Sequence, residues 1–195
     1  MLKANPAAKA FLSQRRSRPA KLFAGPIPDR AELRAIMTTA LRVPDHGKLE
    51  PWRLVVLDRI TMLSLADLAE ACAVELGYDA QKIGKGRGQF DLGQVAVVVI
   101  SSPKGDIKPL SEQVASAAAL CMNLLNAAEA AGWGANWLTG WPAHDPQFIA
   151  RAFGCHAGET VVGIVHIGTP PDDAADRPRP DTDRVTTWPK GQVPA

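Results

Sequence analysis

The chain has 195 residues, 46% of them hydrophobic and 22% charged, and its 22 Lys plus Arg against 20 Asp plus Glu leave a formal charge of +2. That balance is too even for a general nucleic-acid binder, and no apolar run is long enough to span a membrane. Three widely spaced cysteines, Cys72, Cys121 and Cys155, form no CxxC pair, so buried thiols in a reducing cytoplasm are expected in place of a disulfide frame or a zinc ribbon.

The opening MLKANPAAKA lacks the apolar stretch of a signal peptide. Up to about Ser17, the spacing of Ala7, Ala10, Phe11 and Gln14 predicts a short helix that Pro19 stops. Asp29 is a good cap for a second helix, with Leu33, Ile36, Met37 and Leu41 on one face and an end near Arg42. A compact loop, Asp45 to Pro51, leads into a strand over Trp52 to Asp58, rich in β-branched and aromatic residues. Thr61 is the expected cap of a helix that turns Leu65, Leu68, Ala69, Cys72 and Leu76 inward and ends at Gly77. Tyr78 to Gly93 is polar and glycine-rich, and reads as a poorly specified helix or a mobile loop. Val95 to Ser101 is a continuous apolar run, the pattern of a central strand covered on both faces.

Val114 to Ala131 predicts a helix that is apolar nearly all round, and such a helix is buried in the core or at a subunit contact. Gly132 stops it. Trp133 to Leu138 reads as a strand, Pro146 to Phe153 as a short helix capped by Asp145, and Thr160 to Ile167 as the last strand. From Gly168 the chain is rich in Pro and Asp and has too few apolar residues for a core. The order of elements suits one α+β domain over 1–195, with 1–10 and 170–195 as extended terminal segments. No first strand leads into a GxGxxG turn, so a Rossmann fold is excluded.

Four clusters carry candidate chemistry. Arg15-Arg16-Ser17 offers guanidinium groups and a hydroxyl to a phosphate, with Arg42 able to converge on it, or else is a solvated basic helix end. The loop RVPDHGKLEPW from Arg42 to Trp52 holds His46 between two prolines on a helix-to-strand connection, the sort of place where ligand groups sit. Gly132 to Trp141, GWGANWLTGW, interleaves three tryptophans with small residues, which either line a flat aromatic ligand or fill core volume. Gly84-Lys-Gly-Arg-Gly88 follows no strand and lacks the Lys-Ser/Thr of a P-loop, so it reads as a flexible loop with Lys82, Lys85 and Arg87 free to meet an anion. His46, His144, His156 and His166 are scattered, so no zinc site is expected, and no nucleophile-base order supports covalent hydrolysis.

Taken together, Arg15–Ser17, RVPDHGKLEPWR over Arg42–Arg53, GWGANWLTG over Gly132–Gly140 and GIVHIGTP over Gly163–Pro170 resemble the nitroreductase family of flavin enzymes, and within it the compact, YdjA-like branch. The resemblance runs from about residue 10 to 170. It implies an α+β homodimer with a central mixed or mostly antiparallel sheet flanked by helices, FMN at the subunit interface, and a C-terminal arm extended onto the partner. It implies oxidation of NADH or NADPH and electron transfer to nitroaromatic, quinone or related acceptors in the cytoplasm, with no nucleic-acid or membrane partner. Carried over by motif, Arg15, Arg16 and Ser17 hold the FMN phosphate and ribityl chain. Arg42 and His46 reach the cofactor from the other protomer, and Trp137, Leu138 and Thr139 lie along the flavin. The same scaffold also hosts dehalogenation, flavin fragmentation and enoate reduction, or flavin binding without catalysis. Leu138, Glu50 and Lys48 depart from the family pattern, where a basic residue, Gln, and Asn or Ser are common.

Overall fold

A computed structural model describes residues 3–171 and 174–189. Its centre is a four-stranded sheet made of β1 (Trp52–Leu57), β2 (Val95–Ser101), β3 (Gly134–Leu138) and β4 (Thr160–Gly168), in the order β1-β2-β4-β3 with every pair antiparallel. With helices packed on both faces the architecture is α+β, and the sheet expected to be mixed or mostly antiparallel is wholly antiparallel.

The uninterrupted apolar run makes β2 central, because alternate residues serve two cores. Val95, Val97 and Val99 face the helices α2 (Arg30–Ala40) and α5 (Leu110–Ala130). Ala96, Val98 and Ile100 face α3 (Arg59–Glu75), α4 (Ala80–Asp91) and α6 (Pro146–Phe153). Every residue of β2 is buried.

Local signals explain most boundaries. α1 (Pro6–Gln14) starts where Asn5 Oδ1 accepts the Ala8 N–H at 3.1 Å, with Pro6 at the first helical position. The expectation of an extended segment over 1–10 is therefore corrected from Pro6 onward, and residues 1–2 lie outside the described residues. α2 begins with a full capping box, in which Asp29 accepts from Ala31 and Glu32 and the Glu32 carboxylate accepts the Asp29 N–H. Asp58, not Thr61, caps α3: its carboxylate accepts the Thr61 N–H at 2.8 Å, so the helix starts three residues earlier than expected.

The segment expected as a loop around Gly84–Gly88 is helical, and the reason is tertiary. Asp79 accepts the Lys82 N–H at 2.8 Å, Arg87 pairs with Asp91 one turn on at 2.8 Å, and its reach to Asp67 at 2.8 Å and Glu70 at 2.5 Å straps α4 to α3. Gly86 is buried under the Trp141 indole, whose Nε1 donates to the Lys82 carbonyl.

α5 is longer than expected, and its leucines 120, 124 and 125 are buried within this chain's own core. What it leaves outward is a strip through Val114, Ala115, Ala118 and Met122. No helix among the described residues is long and apolar enough to cross a membrane. The described part of the C-terminal segment includes a single turn, α7 (Thr182–Val185), and is tied to this chain's own N-terminal region by two bonds: Arg179 donates to the Ser13 carbonyl, and Arg16 donates to the Ala175 carbonyl at 2.5 Å. Residues 172–173 and 190–195 of the expected arm lie outside the described residues.

Candidate functional site

The basic run lies after α1, not in its last turn, because Arg15 already has extended backbone (φ −54°, ψ 143°). The run is thus not a helix end that complements a dipole. Arg15, Arg16 and Arg18 gather instead around Glu129 near the C-terminal end of α5, in a cleft of about 300 Å³ shared with Trp133 and Pro170. Arg15 Nη1, Arg18 Nε and Glu129 Oε1 are all buried without a hydrogen-bond partner among the described residues. Burial pushes the Glu129 carboxyl up from its ordinary value, against the pull of Arg15 and Arg18. Arg16 is directed to the tail, 3.7 Å from Asp176. Arg15 and Arg18 against one half-buried carboxylate leave surplus positive charge and unpaired donors, the chemistry of an anion site.

A second, larger cavity of about 700 Å³ adjoins this cluster, within the range of small-molecule sites. Ala20 and Lys21 form one side, Asn136 and Leu138 of β3 another, and α4 closes it with Lys85 and Gln89. The two regions are joined by one bond: Asn136 Nδ2 donates to the Arg18 carbonyl at 2.6 Å. Of the lining residues, Asn136 and Gln89 each hold a buried side-chain oxygen without a partner among the described residues, and Lys21 and Lys85 bring positive charge. β3 is an edge strand, and half of its backbone N–H and C=O groups face away from β4. The arginine cleft and the partly apolar slot are separate cavities that meet at the edge of the sheet, where Arg18 and Asn136 touch.

Strand alternation sorts the tryptophan segment. Asn136 and Leu138 point into the slot, while Ala135 and Trp137 point to the opposite core. The Trp137 indole packs on Gly163 and donates to the Val162 carbonyl at 3.1 Å. Trp133 packs on the α5 side, and Trp141 packs among Tyr78, Phe148 and Gly86. None of the three indoles lines the slot, so the reading of an aromatic ligand cage gives way to the core reading. Trp137 offers the slot only its backbone, and Thr139 follows at the strand end, half-buried.

Arg42 and His46 are elsewhere. The His46 Nδ1 lies 2.6 Å from Glu112 Oε2 at the N-terminal end of α5, and both side chains are about half exposed. Arg42 is exposed, and its side chain makes no hydrogen bond or ion pair among the described residues. Glu112 and Glu129 are seventeen residues apart on one helix, which is about 25 Å of rise. Within one protomer, then, the arginine cluster and the His46 loop stand at opposite ends of α5, farther apart than a mononucleotide extends. The loop is rigid: Asp45 accepts the Leu49 and Glu50 N–H groups at 3.1 and 2.8 Å, and Ser116 Oγ donates to the Pro44 carbonyl at 2.5 Å. It also holds two non-glycine residues in the left-handed region, Lys48 (φ 54°) and Glu50 (φ 49°), a strain that concentrates at functional positions.

Sequence reasoning missed Glu129, Asn136, Gln89 and the tail residue Asp176. Only Asn136 had a usable signal, since a period of two along GANWL separates it from the tryptophan beside it.

The scaffold is that of a family of oxidoreductases. Residues 12–169 match the model of the nitroreductase family, and the chain belongs to that family. It is 31% identical over 161 residues to YdjA of Escherichia coli K12, provisionally named an NAD(P)H nitroreductase, covering 82% of this chain and 86% of that protein. A Haemophilus influenzae protein with the same provisional name is 30% identical over 165 residues, covering 83% and 88%. Among solved structures, a nitroreductase-like protein from Bacillus cereus superposes with a TM-score of 0.78 at 21% identity, over 98% of this chain and 100% of that one. The FMN- and NADPH-dependent nitroreductase NfnB from a Sphingopyxis strain superposes with a TM-score of 0.70 at 17% identity, over 93% and 98%.

Proposed function

We propose that this chain is one nitroreductase-like domain, an FMN-dependent NAD(P)H oxidoreductase that works in the cytoplasm as a homodimer and passes electrons to nitroaromatic, quinone or related acceptors. The observation that carries this reading is the cluster of Arg15 and Arg18 with unpaired donors beside Glu129, which stands next to a roomy slot between β3 and α4. A mononucleotide with one phosphate and a flat ring matches both ends. The phosphate takes charge-assisted hydrogen bonds from Arg15, Arg16 and Ser17. The ring's pyrimidine edge has one N–H donor among several acceptors, which suits Asn136 Oδ1 or Gln89 Oε1 on one side and Lys21 or Lys85 on the other. Leu138, Thr139 and the free backbone edge of β3 flank the ring plane.

Bound FMN supplies a two-electron carrier that accepts a hydride from NAD(P)H and gives electrons to a second substrate in a ping-pong cycle. The protein's share is binding and orientation. Lys21 and Lys85 favour an electron-rich ring by placing positive charge at the slot rim, and the half-buried walls limit water. Arg42 and His46 act on the partner's cofactor, because the length of α5 keeps them from their own. His46 donates through Nδ1 to the Glu112 carboxylate, which leaves Nε2 of the neutral ring to accept a hydrogen bond across the interface. The apolar strip of α5, extended by Leu110 and Ile107 (59% and 73% exposed), supports a partner subunit on that face. Membership of the nitroreductase family supports FMN as the carrier with NADH or NADPH as its reductant.

The test is the visible spectrum of the purified protein under anaerobic conditions, before and after NADPH or NADH. A flavin band that bleaches on reduction, with FMN as the released species, is the expected result. FAD in the extract, or a protein that takes up no flavin, overturns the reading.

A further inference from the structure

The helix α4 carries glycine at every second position, Gly84, Gly86 and Gly88, although glycine is the poorest helix former after proline. Gly86 has a reason inside the chain, since a Cβ there runs into the Trp141 indole. The other two do not. Neither has a positive φ, so no turn requires them. A Cβ at Gly84 meets nothing within 4 Å, and one at Gly88 meets only Leu92 Cδ1 at 3.8 Å, an ordinary contact. Both line the 700 Å³ slot, four residues and about 6 Å of helix rise apart, so they stack on one face and bare the α4 backbone toward it.

An independent observation lies behind the same wall. His166 is 1% exposed, neither ring nitrogen has a hydrogen-bond partner among the described residues, and its Nδ1 stands directly behind Gly93, where a Cβ would come within 2.9 Å. Gly93 also lines the slot. The wall that α4 and its C-terminal turn form is thus thin at three glycines, with unpartnered polar atoms of His166, Asn136 and Gln89 around it.

We propose that Gly84 and Gly88 hold space for a planar conjugated ring, the FMN isoalloxazine, which lies in van der Waals contact with the bare backbone of α4. This rests on the cofactor reading above and adds to it the two residues that set the width of the slot. Side chains at these positions would favour the helix and obstruct the ring, so stability and binding move in opposite directions on substitution. A purely structural glycine would move both the same way.

The experiment compares wild type, Gly84→Ala, Gly88→Ala and the double variant, each as flavin-free protein, by thermal melting and by calorimetric titration with FMN. For the double variant, the melting temperature without flavin should rise by about 3–8 °C, the gain of two Gly-to-Ala changes in a helix of a domain this size. Its FMN affinity should fall at least tenfold. An unchanged affinity overturns the inference, and so does a fall in melting temperature. The wild-type arm reads the cofactor assignment separately: a wild type that binds no FMN removes that assignment and this inference with it, whereas normal wild-type binding with unaffected variants removes the inference alone.

Discussion

His166 gives a test of the fold that does not depend on any ligand. It lies in β4 opposite Ala96 and Asn136 of the flanking strands, with Met62 and Gly93 against its ring. Burial pushes its pKa down from 6.5 to about 4, because the cationic form would lie in a low-dielectric interior without a partner. The unfolded chain takes up a proton as the pH falls through about 6.5, and the folded chain does so only near 4. Between those values the unfolded state binds more protons, so stability falls as the pH falls, and below about 4 the loss levels off. The fall from 6.5 to about 4, at about 1.4 kcal/mol for each tenfold change in proton affinity, sets the full loss at about 3.5 kcal/mol, a sizeable part of a domain's net stability. The assay is urea unfolding followed by circular dichroism at pH 7.5 and pH 4.5, on the wild type and on His166→Met, which has similar volume and no titration. Wild type should lose about 2–3 kcal/mol more than the variant between the two pH values. At pH 7.5 the variant should be no less stable, since it removes two buried polar atoms that have no partner. Equal pH dependence of the two proteins would refute the argument. A variant several kcal/mol weaker at pH 7.5 would refute it too, by showing that the imidazole makes bonds that matter.

Three further outcomes follow from the geometry. Arg16→Ala should weaken FMN binding by about 1.5–3 kcal/mol, roughly ten- to a hundredfold, and leave the fold intact because the side chain bonds only the tail; unchanged affinity by fluorescence titration would return Arg16 to a tail-anchoring role. Arg53→Met should destabilise the protein by about 3 kcal/mol at pH 7, because Arg53 donates to both Glu159 oxygens at 2.8 and 2.7 Å and Glu159 is 9% exposed. The same guanidinium holds the Glu159 carboxyl down at about 2 from 4.5, so that contribution is present above about pH 4.5 and is lost as the pH falls through about 2, mostly below the His166 window; urea midpoints read both. A charge on the outward strip of α5, Ala115→Arg, should shift the protein to monomer in sedimentation and weaken FMN retention, since FMN that contacts both chains stabilises the dimer by mass action. A monomer with wild-type FMN affinity would contradict a shared site. Leu124 and Leu125 are unsuitable for this test, because a charge there would break this chain's own core.

Much of the fold is legible in residue order because it depends on local physics. The all-apolar VAVVVIS run can satisfy two buried faces only as a central strand, and Asp29, Asp145 and Pro146 place helix starts by capping chemistry that acts within a few residues. The motifs around Arg15, Arg42 and Trp137 likewise carry the family resemblance in the chain itself. Tertiary structure decided what local preference could not. Three glycines in twelve residues argue against a helix, yet α4 forms because Arg87 is strapped to α3 and Trp141 needs Gly86 beneath it. The tryptophan segment looks alike along its length, yet pairing with β4 alone determines that Asn136 and Leu138 meet the slot while Trp137 fills the core. Arg15 and Arg18 acquire unused donors only because Glu129, more than a hundred residues away, is brought beside them by α5. The same helix, by its length, separates His46 from that cluster. Spacing along a chain determines which residues share a face, but which faces meet depends on the packing of distant elements, and the site here is built almost entirely of such meetings.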